Sequence, residues 1–264
     1  MAGKKERQRK LARERLVRQQ ARREHRARRA QVWTTITVVI VVIIGLGVGG
    51  FFVFRSGNTK ATAASATATP RATTTPLATH CTYTSNPPAA RSVGLPPATP
   101  DSTAAYQATI VTNRGNVVID LLNSKATCTV NSFVYLAAKK YFSNTKCHRL
   151  TTSSPLYVLQ CGDPTGTGSG GPGYKFADEN LAGATYPQGT VAMANSGANT
   201  NGSQFFLVYK NSTLSPNYTP FGTIVSGLGV IQAVAKKGSD NSNGAGDGHP
   251  KEPVVIESVT IKKT

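Results

Sequence analysis

Acidic residues are scarce in this chain. Twelve Asp and Glu stand against thirty Lys and Arg, a formal charge of +18 over 264 residues. Thirteen of the basic residues fall within residues 1–30, whereas residues 56–264 hold sixteen against nine acidic ones. The pI of about 10.1 is therefore mostly a property of the tail, and it does not make the whole chain a nucleic-acid binder. Cysteine is also sparse: four residues exclude a disulfide-dense miniprotein. Apolar residues make up 39%, low for a chain that is domain throughout, so part of it lies outside any core. The four His form no cluster with Cys or carboxylates at metal-ligand spacing, no Ser/His/Asp set suggests a hydrolase, and no repeat of solenoid period is present.

Charge itself is missing from Ala30 to Phe54. Residues 32–54 would form a helix about 35 Å long, enough for the ~30 Å hydrocarbon layer, and are predicted to span a membrane. A cleavable signal peptide would have a shorter apolar run with a small-residue site close behind. The first such site here is Ala61-Thr62-Ala63, so an uncleaved anchor is expected. The basic tail, residues 1–31, places the N-terminus in the cytoplasm and the rest outside the plasma membrane. It reads as a topology signal on an anionic inner leaflet, with no nucleic-acid partner. Residues 55–80 form a Thr/Ala/Pro-rich tether, and residues 81–105 a Pro-rich extended arm.

From residue 106 to 264 the texture is that of a mainly β domain. Strands are predicted over 108–111, 117–122, 146–151, 156–161, 190–194, 204–209, 221–225 and 254–261. Asn113-Arg114-Gly115-Asn116 marks a hairpin between the first two. Val130, Phe133, Val134 and Ala137 fall at helical spacing, and residues 228–235 form a second short helix. Eight strands and two helices suit a closed antiparallel barrel with helices capping its ends.

All four cysteines lie beyond the predicted span, on the oxidising side, and an even count there suggests two disulfides. Three pairings are possible. Cys147 and Cys161 sit in adjacent strands that could form a hairpin, so their link is geometrically easy; Cys81 with Cys128 would then pin the arm to the first helix. The run Gly166-Thr167-Gly168-Ser169-Gly170-Gly171 satisfies a dinucleotide pattern, but Pro172-Gly173 follows where a helix should open. It reads as a flexible loop.

A dense polar signature remains. Cys147-His148-Arg149-Leu150 is followed by Gln160-Cys161-Gly162-Asp163, by Phe176-Ala177-Asp178-Glu179-Asn180, and by a block from Met193 through Asn195 and Gln204 to Phe206. At these residues the chain resembles the cyclophilins, the peptidyl-prolyl cis-trans isomerases, over about residues 107–262. The tail, span and tether are similar to those of bacterial membrane-anchored members. The resemblance implies an eight-stranded barrel with two helices, and a rotamase that aids folding of exported or envelope proteins. It implies Arg149, Gln160 and Phe206 as the catalytic set. Ala194, Asn195 and Gln204 would hold the peptide backbone, with Tyr157, Val158, Leu214 and Tyr218 around the proline pocket. Thr213 falls where the family usually has Trp, which implies weak cyclosporin binding.

These residue types suit the reaction. Rotation about an X–Pro bond must break amide resonance, a barrier of ~18–20 kcal/mol. An apolar pocket that grips the ring and a guanidinium aimed at the prolyl nitrogen suffice, without metal, cofactor or covalent intermediate. A module that binds Pro peptides and turns them over poorly is the alternative.

Overall fold

The computed structural model describes residues 78–264; the basic tail, the predicted 32–54 span and nearly all of the tether lie outside the described residues. Among the described residues no helix is long and apolar enough to cross a membrane.

Alternating apolar residues build the sheet. In β2 (Tyr106–Thr112) Ala108 and Ile110 point inward, and in β3 (Gly115–Leu121) so do Val117, Ile119 and Leu121. The chain continues through α1 (Thr127–Ala138), β4 (Thr145–Lys146), β5 (Arg149–Thr151), β6 (Val158–Cys161), β7 (Tyr174–Lys175), β8 (Thr190–Met193), β9 (Phe205–Val208), β10 (Pro220–Ser226), α2 (Leu228–Lys237), β11 (Asp247–Gly248) and β12 (Val255–Lys263). A short strand, β1 (Thr84–Ser85), precedes them in the arm and pairs with β7.

The other strands form one curled antiparallel sheet of ten, in the order β11-β5-β6-β9-β8-β10-β3-β2-β12-β4. This corrects the closed eight-stranded barrel expected from sequence. The stretch 146–151, predicted as one strand, changes partners: β4 pairs with β12 and β5 with β6. Between them Cys147 and His148 carry the chain across the seam between the two ends of the sheet. Closure is made by the backbone and by the Cys147–Cys161 disulfide, with no strand ladder across it.

The two helices cover different parts of the interior. Ile231 and Val234 of α2 pack over Ile110, Leu159, Leu207 and Ile256. Gly227, at φ +83°, opens this helix where a Cβ would meet Asn116 O at 2.0 Å, so a side chain is excluded. Lys236 and Lys237 in the last turn suit the negative end of the helix dipole. Phe133 of α1 packs against Phe142, Phe205 and Phe221, with ring centroids 5.1, 5.5 and 5.3 Å away. This helix has no cap of its own. The Glu179 carboxylate accepts from Cys128 N at 3.0 Å and Thr129 N at 2.7 Å, placing an anion on the positive helix end.

The arm is fastened to the domain. Cys81 is bonded to Cys128 on α1, the second disulfide expected from sequence. Tyr83 is buried edge-on against Tyr174 and Phe176, and Asn86 N and Ala90 N donate to Gly173 O and Gly171 O, both at 2.8 Å.

Candidate active site

Three neighbouring strands bring the site together. Arg149 on β5 is paired in register with Gln160 on β6, and Gln160 with Phe206 on β9. Residues opposite one another share a face of the sheet, so this row faces outward while Leu150, Leu159, Phe205 and Leu207 fill the interior. An outward strand face is usually solvated. Here it carries a second apolar cluster of Val158, Tyr186, Ala192, Phe206 and Val208, bordered by Leu156, Ala194, Leu214 and Tyr218.

Phe206 forms its floor, only 5% exposed. Tyr218 stands edge-on to it, 5.7 Å between centroids at 80°. The loop that supplies Leu214 and Tyr218 is tied down on two sides: Tyr186 Oη donates to Tyr218 O at 2.8 Å, and Asn195 Nδ2 to Asn217 O at 2.8 Å.

Beside this apolar patch runs a chain of polar contacts. Arg149 donates through Nε to Asp247 Oδ1 at 2.9 Å and through Nη2 to Asp247 Oδ2 at 2.6 Å. Its Nη1 reaches Gln160 Oε1 at 3.5 Å, the loosest of the three. Gln160 Nε2 donates to Gln204 Oε1 at 2.9 Å, and Gln204 Nε2 donates to Gly168 O and Gly170 O, each at 2.9 Å. The hydrogen bonds to Asp247 raise the Arg149 pKa above its already high value, and Arg149 in turn holds the Asp247 carboxyl below the usual carboxylate range. The guanidinium is thus a fixed charge at any working pH.

The chain ends on a buried carboxylate. Asp163 accepts from Thr165 N at 2.7 Å, Thr167 N at 3.2 Å, Gly168 N at 2.8 Å and Gly170 N at 3.0 Å, and from the Thr165 hydroxyl at 2.8 Å. Burial pushes its pKa up, but these bonds, that of the Thr165 hydroxyl first, outweigh it and hold the group ionised. The glycine-rich run, expected from sequence as a flexible loop, is wound around this one charge. Gly162, at φ +92°, lets the next turn lie against β9, where a Cβ would meet Ser203 O at 2.2 Å.

The structure therefore brings together Arg149, Gln160, Phe206, Val158, Ala194, Gln204, Leu214 and Tyr218, with Asn195 bracing the rim. Tyr157 lies elsewhere: side chains alternate along a strand, so it faces away from Val158 and packs edge-on to Tyr209 at 6.1 Å, under Lys210. Asp247 escaped sequence reasoning. In Gly244-Ala245-Gly246-Asp247-Gly248 an acid among glycines signals only a turn.

The family model described as "Cyclophilin type peptidyl-prolyl cis-trans isomerase/CLD" matches residues 107–261. This chain belongs to the cyclophilins. A similar curated protein is "Probable peptidyl-prolyl cis-trans isomerase B" of Mycobacterium leprae, 47% identical over 203 residues, 71% of this cyclophilin and 68% of that protein. Its namesake from Mycobacterium tuberculosis is 46% identical over 201 residues, 70% of this chain and 65% of that one. The chain thus spans about two thirds of the length of these relatives. "Peptidyl-prolyl cis-trans isomerase A" of Mycobacterium tuberculosis is 40% identical over 174 residues, 60% of this chain and 93% of that one. Among solved structures, a Cryptosporidium parvum cyclophilin aligns with TM-score 0.53 and 31% identity over 61% of this chain and 99% of its own. A second structure of that protein was determined in the presence of the dipeptide Ala-Pro and aligns with TM-score 0.52.

Proposed function

We propose that this cyclophilin is a membrane-anchored isomerase that rotates X–Pro bonds in proteins on the outer side of the plasma membrane. The observation that carries the chemistry is the placing of the Arg149 guanidinium beside the Phe206–Tyr218 pocket on one outward row. In this reading the apolar pocket takes the pyrrolidine ring; a Cryptosporidium relative has been studied in the presence of the dipeptide Ala-Pro. Arg149 has two of its three nitrogens committed to Asp247, which leaves Nη1 as the donor for substrate. As the amide twists, resonance is lost and the prolyl nitrogen gains a localised lone pair. A fixed N–H aimed there interacts more strongly with the twisted state than with either planar isomer, the condition for acceleration. Gln160, Asn195 and Gln204 hold the backbone on either side of the ring, so that only one torsion is free.

Three observations support this reading of the compartment. An uncharged run at residues 32–54 is preceded by thirteen basic residues and followed directly by one, and both disulfides are formed. Cyclosporin is expected to bind weakly, because the exposed Thr213 offers neither ring nor indole N–H.

The test is isomerisation of an Ala-Pro tetrapeptide by the full chain in detergent or vesicles, with protease accessibility of the domain from each side. Catalysis well above the uncatalysed rate and a domain cut only from outside are expected. Peptide binding without rate enhancement would leave a Pro-peptide-binding module instead.

A further inference from the structure

Where Cys147 and His148 carry the chain across the seam of the sheet, they border a cavity of about 290 Å³ that none of the active-site residues lines. Two imidazoles meet there, His148 and His249, from positions 101 residues apart. His148 is only 6% exposed, yet neither of its ring nitrogens has a hydrogen-bond partner among the described residues. A buried polar group left unpaired is costly, and native folds seldom keep one without a use. Gly168 packs on the Cδ2–Nε2 edge of the ring, where a Cβ would stand 3.2 Å from Cδ2. Gly168 does not line the cavity, so the opposite edge, which carries Nδ1, is the one turned toward it.

His249 is exposed, and its ring is held from behind. Its Nδ1 lies 2.7 Å from His148 O. A carbonyl only accepts, so Nδ1 carries the proton and Nε2 keeps its lone pair. A backbone carbonyl on the far ring nitrogen is the support that metal-binding histidines commonly have. The contact follows from the β5–β11 register, in which Asp247 lies opposite Thr151 and Gly248 opposite Leu150. The residue after Gly248 therefore comes beside the start of β5, next to the strand pair that carries Arg149 and Asp247.

The rest of the lining selects the ion. Among the described residues it holds no carboxylate, which disfavours Ca²⁺ and Mg²⁺, both bound through oxygen. The Cys147 sulfur is committed to Cys161 and offers no thiolate. Neutral imidazoles suit borderline ions such as Zn²⁺, Ni²⁺ and Cu²⁺. At about 30 Å³ per water, the cavity has room for the waters that complete the coordination. Lys146 is exposed, and its flexible stem lets the ammonium turn to solvent.

We propose that His148 and His249 form a two-histidine site for a divalent transition-metal ion, which clasps the start of β5 to the end of β11 and so braces the strands that supply Arg149 and Asp247. The site stands apart from the isomerase reading and does not depend on it.

The experiment uses the full chain, untagged and in detergent, with His25→Asn and His80→Asn introduced so that the only imidazoles left are the two at the cavity. Titration calorimetry with Zn²⁺, Ni²⁺ and Cu²⁺ should show one ion bound per chain. His249→Gln, at an exposed position, and His148→Phe should each weaken Zn²⁺ binding at least about tenfold, the lower end of what even an outer-shell partner costs. Pulsed EPR of bound Cu²⁺ should count two imidazoles in the parent and one in His249→Gln. Zn²⁺ should raise the urea midpoint of the parent, since an ion that binds only the folded chain stabilises it, and should leave that of His249→Gln where it was. If His148→Phe fails to fold, His249→Gln and the imidazole count decide the matter. No uptake of any of the three ions overturns the site, as does Zn²⁺ affinity that His249→Gln leaves at the parental value. A Cu²⁺ spectrum with fewer than two imidazoles in the parent overturns it as well.

Discussion

Asp247 grips Arg149 by a two-point fork, at 2.9 and 2.6 Å, across a sequence separation of 98 residues. The fork fixes the plane of the guanidinium and so the direction of its remaining donor. Asp247→Ala should lower kcat by ~10- to 10²-fold with little change in KM, because misplacing a reacting group by about 1 Å has that effect. Asp247→Glu should recover part of the loss, which a purely structural role would not require. Both groups are partly exposed, so the stability change should stay under about 1 kcal/mol. Asp247 has its pKa depressed by Arg149, so the pair persists above that value and is lost only as pH falls through it, below the ordinary carboxylate range. Wild-type turnover should therefore be flat from neutral pH down to about 5.

Arg149→Ala should cost ~10²–10³ in kcat/KM, the usual loss for one transition-state donor, while peptide affinity falls much less because Phe206, Leu214 and Tyr218 still hold the ring. Arg149→Lys should also be impaired, since a single flexible ammonium cannot make the fork and donate to substrate together. Stopped-flow isomerisation with circular dichroism as a folding control measures both. A folded Arg149→Ala protein with near-wild-type turnover would refute the mechanism.

His148, next to Arg149, is a pH-sensitive element of the fold. Burial lowers its pKa below 6.5, and His249 and Arg149 push the same way against Asp163 and Gln204. Below pH 6.5 the unfolded chain binds a proton at this site that the folded chain does not. Stability should therefore decline as pH falls from 6.5 toward the folded pKa and level off below it. Urea melts at a series of pH values should show that slope, and His148→Phe should reduce it.

The two disulfides close loops of different length, with sequence separations of 14 and 47. On loop entropy alone, replacing Cys147 and Cys161 by Ser should cost about 3 kcal/mol, and replacing Cys81 and Cys128 about 4 kcal/mol. The functional effects should differ more. Cys161 follows Gln160 directly and Cys147 stands two residues before Arg149, so the first pair should also lower kcat. Losing the second, which ties the arm to α1, should change kcat far less. Denaturant unfolding and peptide kinetics on each double variant separate the two.

Sequence patterning reveals the long strands because Ala108, Ile110, Val117 and Ile119 repeat with period two, and α1 because Val130, Phe133 and Ala137 repeat with the helical one. Three of the four dipeptide strands, β1, β7 and β11, leave no such trace. Two residues carry no period, and their pairing is imposed by partners far along the chain. The same limit hid the break at Cys147-His148, where apolar and polar residues continue a strand pattern while the backbone changes neighbours. At the site, the Met193–Phe206 block and Arg149 were legible as residue types in a known arrangement. Asp247 was not, because its role depends on where a glycine-rich turn lands. Asp163 was visible as a residue but not as the hub of the loop after it, since its acceptors are satisfied mainly by backbone N–H groups, which every sequence has.

The sheet ends on β4 and β11, each a strand of only two residues. Exposed edges of longer strands template the addition of foreign ones, the first step toward aggregation. An isomerase that acts, as proposed above, on incompletely folded chains would meet unpaired strands continually. Closing the seam with a disulfide and two residues of backbone, in place of another full strand, means that neither terminal strand offers such a client a ladder longer than two residues.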